Sequence, residues 1–86
     1  MNIEVLKALA SETRFEIVSM LVTLDMTAGE IAERFDISQP SVSRHLQVLK
    51  HAGVVSVTRD CTKIYYSLNH EYLNETVEEL KALLKL

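Results

Sequence analysis

Residues 38–53 constrain the fold of this chain most strongly, because they have the pattern of one helix with two chemically different faces. Val42, Leu46 and Leu49 follow the i, i+4, i+7 spacing that places side chains on one side of a helix. Hydrogen-bonding side chains lie in the first turn or on the other side: Gln39, Ser41, Ser43, Arg44 and Gln47. The pattern predicts a helix that packs through its apolar side and can contact base edges or phosphates through its polar side.

Both ends of this helix are marked in the sequence. Ser38 can accept a hydrogen bond from a free first-turn N–H, Pro40 stands where no N–H is needed, and Gly53 ends the helix. Just upstream, Thr27 and Glu30 have the spacing of a capping box that opens a short amphipathic helix. Two short helices joined by a tight turn predict a helix-turn-helix, in which the first helix braces the second.

The segment that follows predicts a β-hairpin. Residues 54–59 are rich in β-branched side chains, residues 60–62 can turn the chain, and residues 63–68 return with aromatic and β-branched side chains. Arg59 and Lys63 flank the tip. A hairpin directly after a helix-turn-helix is the wing of a winged helix, where these two residues either reach DNA or are simply solvated.

Residues 11–22, which precede the helix-turn-helix, predict a further helix that serves mainly as scaffold. Ser11 is its cap. Its core stripe is expected to consist of Phe15, Val18, Leu21 and Val22. Arg14 stands near the start of this helix, where an ion pair with a neighbouring acid and a phosphate contact are both open.

Four segments together resemble the ArsR family of bacterial winged-helix repressors. They are residues 6–14 (LKALASETR), 27–32 (TAGEIA), 38–49 and 64–68 (IYYSL). Within that family the chain is most similar to the small metal-independent autorepressors of the SdpR type. The resemblance implies a homodimer that binds a double-stranded DNA operator and blocks transcription. It also implies an anti-repressor partner, since a membrane protein sequesters repressors of this type.

The polar positions and the resemblance together define the candidate DNA contacts. They are Ser38, Gln39, Ser41, Ser43, Arg44, His45, Gln47, Arg59 and Lys63. Gln39 and Ser41 could instead serve the helix start. His45 lies on the flank of the apolar stripe, and the resemblance favours a ring N–H to a phosphate over packing against the brace helix.

The terminal segments carry more apolar surface than one small core should absorb. A domain of 86 residues buries only about 60% of its unfolded surface, so leftover stripes tend to pack against a second copy rather than the same subunit. The residues expected at a dimer interface are Ile3, Leu6, Tyr72, Leu73, Val77, Leu80 and Leu84. We therefore expect one domain, residues 1–86, that is mainly α with a small β-hairpin: five helices, a two-stranded wing, and dimerisation through the terminal helices.

The net charge of −3 is unusual for a DNA-binding domain, which is typically basic. The distribution of the charged residues along the chain is nevertheless compatible with DNA binding. Residues 37–63 carry four basic side chains and one acid, a charge of +3, whereas the rest of the chain carries −6. The basic charge therefore falls on the predicted reading surface, and two subunits double it.

The sequence gives weak support for metal, redox or catalytic chemistry. The brace helix has no cysteine, and the last helix has one histidine, His70, with acids more typical of a solvated face: Glu71, Glu75, Glu78 and Glu79. Cys61 is the only cysteine, which excludes an intrachain disulfide and leaves open one between subunits. We expect no cofactor, no metal and no enzymatic activity; the alternatives are a metal- or redox-responsive sensor and a winged helix that binds protein.

The N-terminus does not have the basic and apolar pattern of a secretory signal. No stretch approaches the ~20 apolar residues that span a bilayer. We expect a cytoplasmic protein with no direct membrane insertion.

Overall fold

The computed structural model describes residues 2–85, and the winged helix predicted from the sequence is confirmed. The five α-helices are Ile3–Leu9 (α1), Glu12–Leu21 (α2), Ala28–Phe35 (α3), Gln39–His51 (α4) and His70–Leu83 (α5). The two strands are Val55–Asp60 (β1) and Lys63–Leu68 (β2), which pair antiparallel between α4 and α5. Among residues 2–85, no helix combines the length and apolar character needed to span a bilayer.

Side-chain caps determine where the helices begin. The predicted capping box at α3 is present: the Thr27 N–H donates to Glu30 Oε1 at 2.9 Å, and the Glu30 N–H donates to Thr27 Oγ1 at 3.1 Å. Ser38 accepts from the Ser41 N–H at 3.3 Å, with Pro40 in the first turn of α4. Ser11 caps α2 as predicted. Each such cap contributes about 1 kcal/mol to helix stability.

The predicted apolar stripe of α4 lies at the centre of the core. Val42, Leu46 and Leu49 have no solvent exposure. They belong to one hydrophobic cluster that draws on α1, α2, α3, both strands and the segments between elements: Val5, Ala8, Ile17, Leu21, Met26, Ile31, Ala32, Ala52, Val54, Val55 and Leu68. Because one side of α4 is buried here, its opposite side must face solvent.

The core stripe predicted for α2 is wrong in part. Phe15 and Val22 are 59% and 54% exposed, whereas Ile17, which the prediction omits, is fully buried beside Leu21. Val18 is half-buried against the same core. The reason is tertiary, since α2 packs against α1, α4 and β2, and those neighbours lie on the side of α2 that carries Ile17. The apolar pattern of α2 fits more than one helical phase, so it does not select this side.

The first strand of the wing is shifted by one residue from the predicted 54–59, and the turn is one residue shorter than predicted. Asp60 pairs with Lys63 as the last rung of the ladder, so the turn contains only Cys61 and Thr62. Cys61 has the left-handed backbone (φ 57°) that closes such a tight turn. Paired backbone hydrogen bonds between Met26 and Tyr66, at 3.1 and 2.7 Å, fasten the wing to the segment before α3.

The two glycines give a matched pair of tests for the fold. Gly53 follows α4 with φ 82°, and a Cβ there would lie 2.8 Å from the Tyr72 ring. Gly53→Ala is therefore expected to lower the free energy of unfolding by about 1–3 kcal/mol. Gly29 is helical, and a Cβ there would make ordinary contacts with the Gln39 side chain at 3.4 Å and Thr27 Oγ1 at 3.9 Å. Gly29→Ala should be neutral or stabilising by up to about 1 kcal/mol. Urea unfolding monitored by circular dichroism measures both, and equal losses would contradict this account.

Candidate nucleic-acid interface

The first turns of α4 place a short chain of polar groups at the surface. The Ser38 hydroxyl donates to Ser41 Oγ at 3.0 Å, and Arg44 Nη2 donates to the same oxygen at 3.4 Å. Arg44 is exposed, and its guanidinium is held toward the N-terminal end of the helix. Ser38 is thus a helix cap, as its sequence position allows, and Ser41 orients Arg44.

The remaining polar residues of α4 continue this surface. Gln47 is exposed one turn after Ser43, which is half-buried. Gln39 lies beside Gly29 at the start of α3, where a Cβ on residue 29 would make only ordinary van der Waals contact with the Gln39 side chain, at 3.4 Å. A groove runs between the start of α3, α4 and the wing, and Gln39, Ser43 and Lys63 line it together. The structure therefore brings most of the predicted contacts onto one face.

The two basic residues of the wing do not share a face. The register pairs Lys63 with Asp60 and Arg59 with Ile64, and adjacent rungs of a ladder point to opposite sides. Lys63 lines the groove beside α4, whereas Arg59 lines a separate groove with Asp25 and His70. Of the two, only Lys63 extends the surface of α4.

Together with Thr27, Lys63 helps to lower the pKa of Glu30 at the start of α3. The pKa of Glu30 is lowered, first by the hydrogen bond from the Thr27 backbone, then by the Thr27 hydroxyl, with smaller contributions from Lys63 and Arg34. The carboxylate of the capping box therefore stays ionised at neutral pH, where it accepts the Thr27 N–H.

Arg14 and His45 form a contact between α2 and α4. Arg14 Nη1 lies 3.4 Å from His45 Nδ1, and its Nε donates to the Ala8 carbonyl at 2.6 Å. The sequence left an ion pair or a phosphate contact open for Arg14, but the structure gives it carbonyl and imidazole partners instead. Burial, then Arg14 and Arg44, lower the pKa of His45, so its ring is neutral near pH 7.

The residues expected at the dimer interface fall into two groups. Tyr72 and Leu73 are half-buried against their own core, and the Tyr72 hydroxyl accepts from Asn2 Nδ2 at 3.1 Å. Leu6 is also half-buried. The others remain exposed on this chain: Ile3, Val77, Leu80 and Leu84. The second half of α5 extends beyond the core, with Thr76 as its buried residue, in a molecule 47 Å long and 21 Å thick.

The groups considered for metal or redox chemistry are separate from this surface. Within residues 2–85, no three side chains of His, Cys, Asp or Glu lie close enough to hold a metal ion. The acids of α5 share one exposed groove: Glu71, Glu75, Glu78 and Glu79. Glu78 accepts from Lys81 at 3.4 Å. Cys61 is exposed at the tip of the wing.

Comparison with known proteins identifies the family. A family model described as a helix-turn-helix domain matches residues 9–58. The chain is 49% identical over 73 residues to the transcriptional repressor SdpR of Bacillus subtilis, a match that covers 85% of this chain and 81% of that protein. It superimposes on an ArsR-like transcriptional regulator from Rhodococcus sp. RHA1 with a TM-score of 0.86 at 31% identity, over 93% of this chain and 76% of that one. The chain belongs to the ArsR family.

A further ArsR-family structure bears on assembly. It is the homodimeric winged helix-turn-helix DNA-binding domain of a possible ArsR-family regulator from Mycobacterium bovis. The match has a TM-score of 0.78 at 27% identity and covers 95% of this chain and 76% of that one. The resemblance stated from the sequence is thus confirmed, together with the fold that it implies.

Two features of this ArsR-family chain have no clear signal in its sequence. The Arg14–His45 contact joins residues 31 positions apart, and the Met26–Tyr66 bridge joins residues 40 apart. Helical periodicity reports only contacts within an element, so it cannot find such pairs.

The His45 environment predicts a pH dependence of stability. Because its pKa in the folded chain lies below the ordinary value of 6.5, the unfolded chain binds the proton more tightly. This contribution to stability is present above pH ~6.5 and decreases as the pH falls through that value toward the folded pKa. Urea midpoints measured at pH 7.5 and 5.5 should differ more for the native chain than for His45→Gln. Equal differences would show that His45 does not contribute.

Proposed function

We propose that this chain is a sequence-specific DNA-binding transcriptional repressor that binds a palindromic operator as a homodimer. The observation that carries the proposal is that one side of α4 is buried and the opposite side is exposed. Its apolar side is fully buried, and the opposite side presents Ser43, Arg44 and Gln47 beside Lys63 of the wing. A helix presented in this way matches the recognition helix of a helix-turn-helix protein, which lies in the major groove. The similar SdpR protein is named a transcriptional repressor, which supports repression rather than activation of transcription.

The exposed side chains of α4 have the chemistry of base recognition. Arginine can donate two hydrogen bonds to guanine, and glutamine can pair with adenine in the same groove. Arg44 and Gln47 are therefore assigned to base edges, with Ser43 beside them. The polar groups at the helix start, Ser38, Gln39 and Ser41, are assigned to phosphates. His45, in the middle of the helix, is also assigned to a phosphate. Lys63 is assigned to a phosphate beside the wing, and Arg59, on the other face of the hairpin, to a more distant one.

A homodimer gives the proposed operator its symmetry. Two recognition helices reach successive major grooves when they are about 34 Å apart, and a two-fold axis between them requires a palindromic site. We place the interface on the exposed residues of the terminal helices, Ile3, Val77, Leu80 and Leu84, with Leu6, Tyr72 and Leu73 supporting it. The homodimeric domain from Mycobacterium bovis, which this chain resembles, supports that assembly.

Repression then follows from occupation of the promoter. It requires no catalysis, cofactor or metal effector. The protein acts in the cytoplasm, where the chromosome is accessible. Residues 1–86 act as one domain in this proposal. Release from DNA is assigned to an anti-repressor protein, because the resemblance to SdpR-type repressors implies such a partner. A winged helix that binds protein is disfavoured by the basic, polar outer face of α4.

Selection of bound duplexes from a randomised DNA pool tests the proposal. At near-physiological salt the purified chain should enrich a palindromic motif, unchanged by added zinc or by oxidant. A motif that changes with zinc or oxidant would replace this proposal with a metal- or redox-responsive sensor. No enrichment by folded, dimeric protein would favour the protein-binding alternative.

Arg44 should contribute to operator affinity without contributing to the fold. Arg44→Ala is expected to weaken binding by about 1–3 kcal/mol, because its side chain is exposed and reaches base edges. Lys81→Ala removes the same charge from α5, far from α4, and should leave affinity within about twofold. Fluorescence anisotropy with the selected operator measures both. Equal losses would mean that only total charge matters.

Leu80 tests the proposed interface. It is 38% exposed on α5, and a carboxylate at that position would have to be buried between two copies. Leu80→Asp is expected to shift the protein toward monomer in sedimentation experiments. Leu24→Asp, on the loop between α2 and α3 and 55% exposed, is the control and should remain dimeric. A dimer unaffected by Leu80→Asp would place the interface elsewhere.

A further inference from the structure

The Arg14 side chain joins three helices. It begins on α2, and its Nε and Nη2 donate to the Ala8 and Lys7 carbonyls at the end of α1, at 2.6 and 3.5 Å. Its Nη1 reaches His45 Nδ1 on α4 at 3.4 Å. The Ala8 carbonyl is one of the acceptors at the C-terminal end of α1, and the Lys7 carbonyl also accepts from the Ala10 N–H at 3.2 Å. Together they orient the guanidinium group. Arg14 is half-buried, and all three of these side-chain contacts are to groups of the protein.

This contact determines the state of the imidazole. A guanidinium can only donate hydrogen bonds, so His45 Nδ1 must accept. A neutral imidazole with an accepting Nδ1 carries its proton on Nε2. Protonation of Nδ1 would point an N–H at the N–H groups of Arg14 and place two positive charges side by side. The lowered pKa of His45 agrees with this, since burial and Arg14 both favour the neutral ring.

We propose that Arg14 is a positioning residue for DNA binding, which holds His45 as the Nε2–H tautomer so that this N–H donates to a backbone phosphate. Arg14 itself does not contact DNA in this arrangement. The inference rests on the proposed function, because it assigns the role of one contact within that site. The neutral ring supplies a directed donor at a fixed position, whereas Lys63 of the wing supplies a charge on a flexible side chain.

The tautomer can be measured on the free protein, without DNA. Long-range ¹H–¹⁵N correlation spectra at pH 7.5 distinguish the two tautomers by their nitrogen shifts. The native chain should show Nε2–H for His45, and Arg14→Met should show a mixture of tautomers. Arg14→Lys keeps a donor and a charge and should restore part of the Nε2–H population. An Nδ1–H tautomer in the native chain would overturn the proposal, and so would spectra unaffected by Arg14→Met.

Two substitutions of His45 test which nitrogen binds the phosphate and leave Arg14 in place. The amide of glutamine reaches the position of Nε2, whereas asparagine reaches only that of Nδ1. His45→Gln should bind the selected operator within about threefold of the native chain. His45→Asn should keep the Arg14 contact and bind about tenfold more weakly, the loss expected for one hydrogen bond to a charged group. Equal affinities of these two variants would overturn the assignment of Nε2.

A double-mutant cycle separates positioning from a direct contact. His45→Asn should weaken operator binding about tenfold, whereas Arg14→Met should weaken it only by the fraction of Nε2–H tautomer that is lost, about twofold for an equal mixture. The double variant should be no weaker than His45→Asn, because both substitutions act on the same interaction. A double variant that is weaker than His45→Asn by the full effect of Arg14→Met would mean that Arg14 acts independently of His45, which overturns the proposal. If the native chain selects no operator, the proposed function fails, while the tautomer measurement still reports on the Arg14–His45 contact.

Discussion

The burial of one side of α4 is the constraint on which the rest of this structure depends. Val42, Leu46 and Leu49 have no solvent exposure and contribute the centre of the core. Full burial of each such side chain is worth about 1.5–3 kcal/mol, so the rotation of α4 about its axis is strongly fixed. Arg44 and Gln47 are therefore exposed to solvent, and the half-buried Ser43 lines the groove beside the wing. The same apolar contacts that stabilise the fold therefore orient the candidate reading surface.

Polar contacts position the other elements around α4. The Met26–Tyr66 bridge fastens the wing beside the helix-turn-helix, and through it Lys63 lies next to the groove that Gln39 and Ser43 line. Arg14 ties the end of α1 to α4. These hydrogen bonds join distant parts of a small chain. The Met26–Tyr66 bridge positions the wing that carries Lys63, and the Arg14 contact positions His45.

The distribution of charge explains how an acidic chain can carry a DNA-binding surface. Its overall charge is −3, but residues 37–63 carry +3, whereas residues 1–36 carry −4 and residues 64–86 carry −2. Attraction between exposed charges falls off over roughly 8–10 Å at physiological salt, so a phosphate beside α4 responds mainly to the local positive groups. The placement of the basic residues is therefore more important than the overall charge.

The sequence alone predicts the helices, the hairpin, the helix caps, the buried stripe of α4 and the polar residues opposite that stripe. The reason is that all of these depend on spacings of a few residues within one helix or hairpin. The sequence could not select the buried side of α2, where Ile17 rather than Phe15 enters the core. Nor could it separate Arg59 from Lys63, since their faces depend on a register set by a two-residue turn. The partner of Arg14 was decided only by the tertiary structure, because no local periodicity relates two residues that meet through the packing of separate helices.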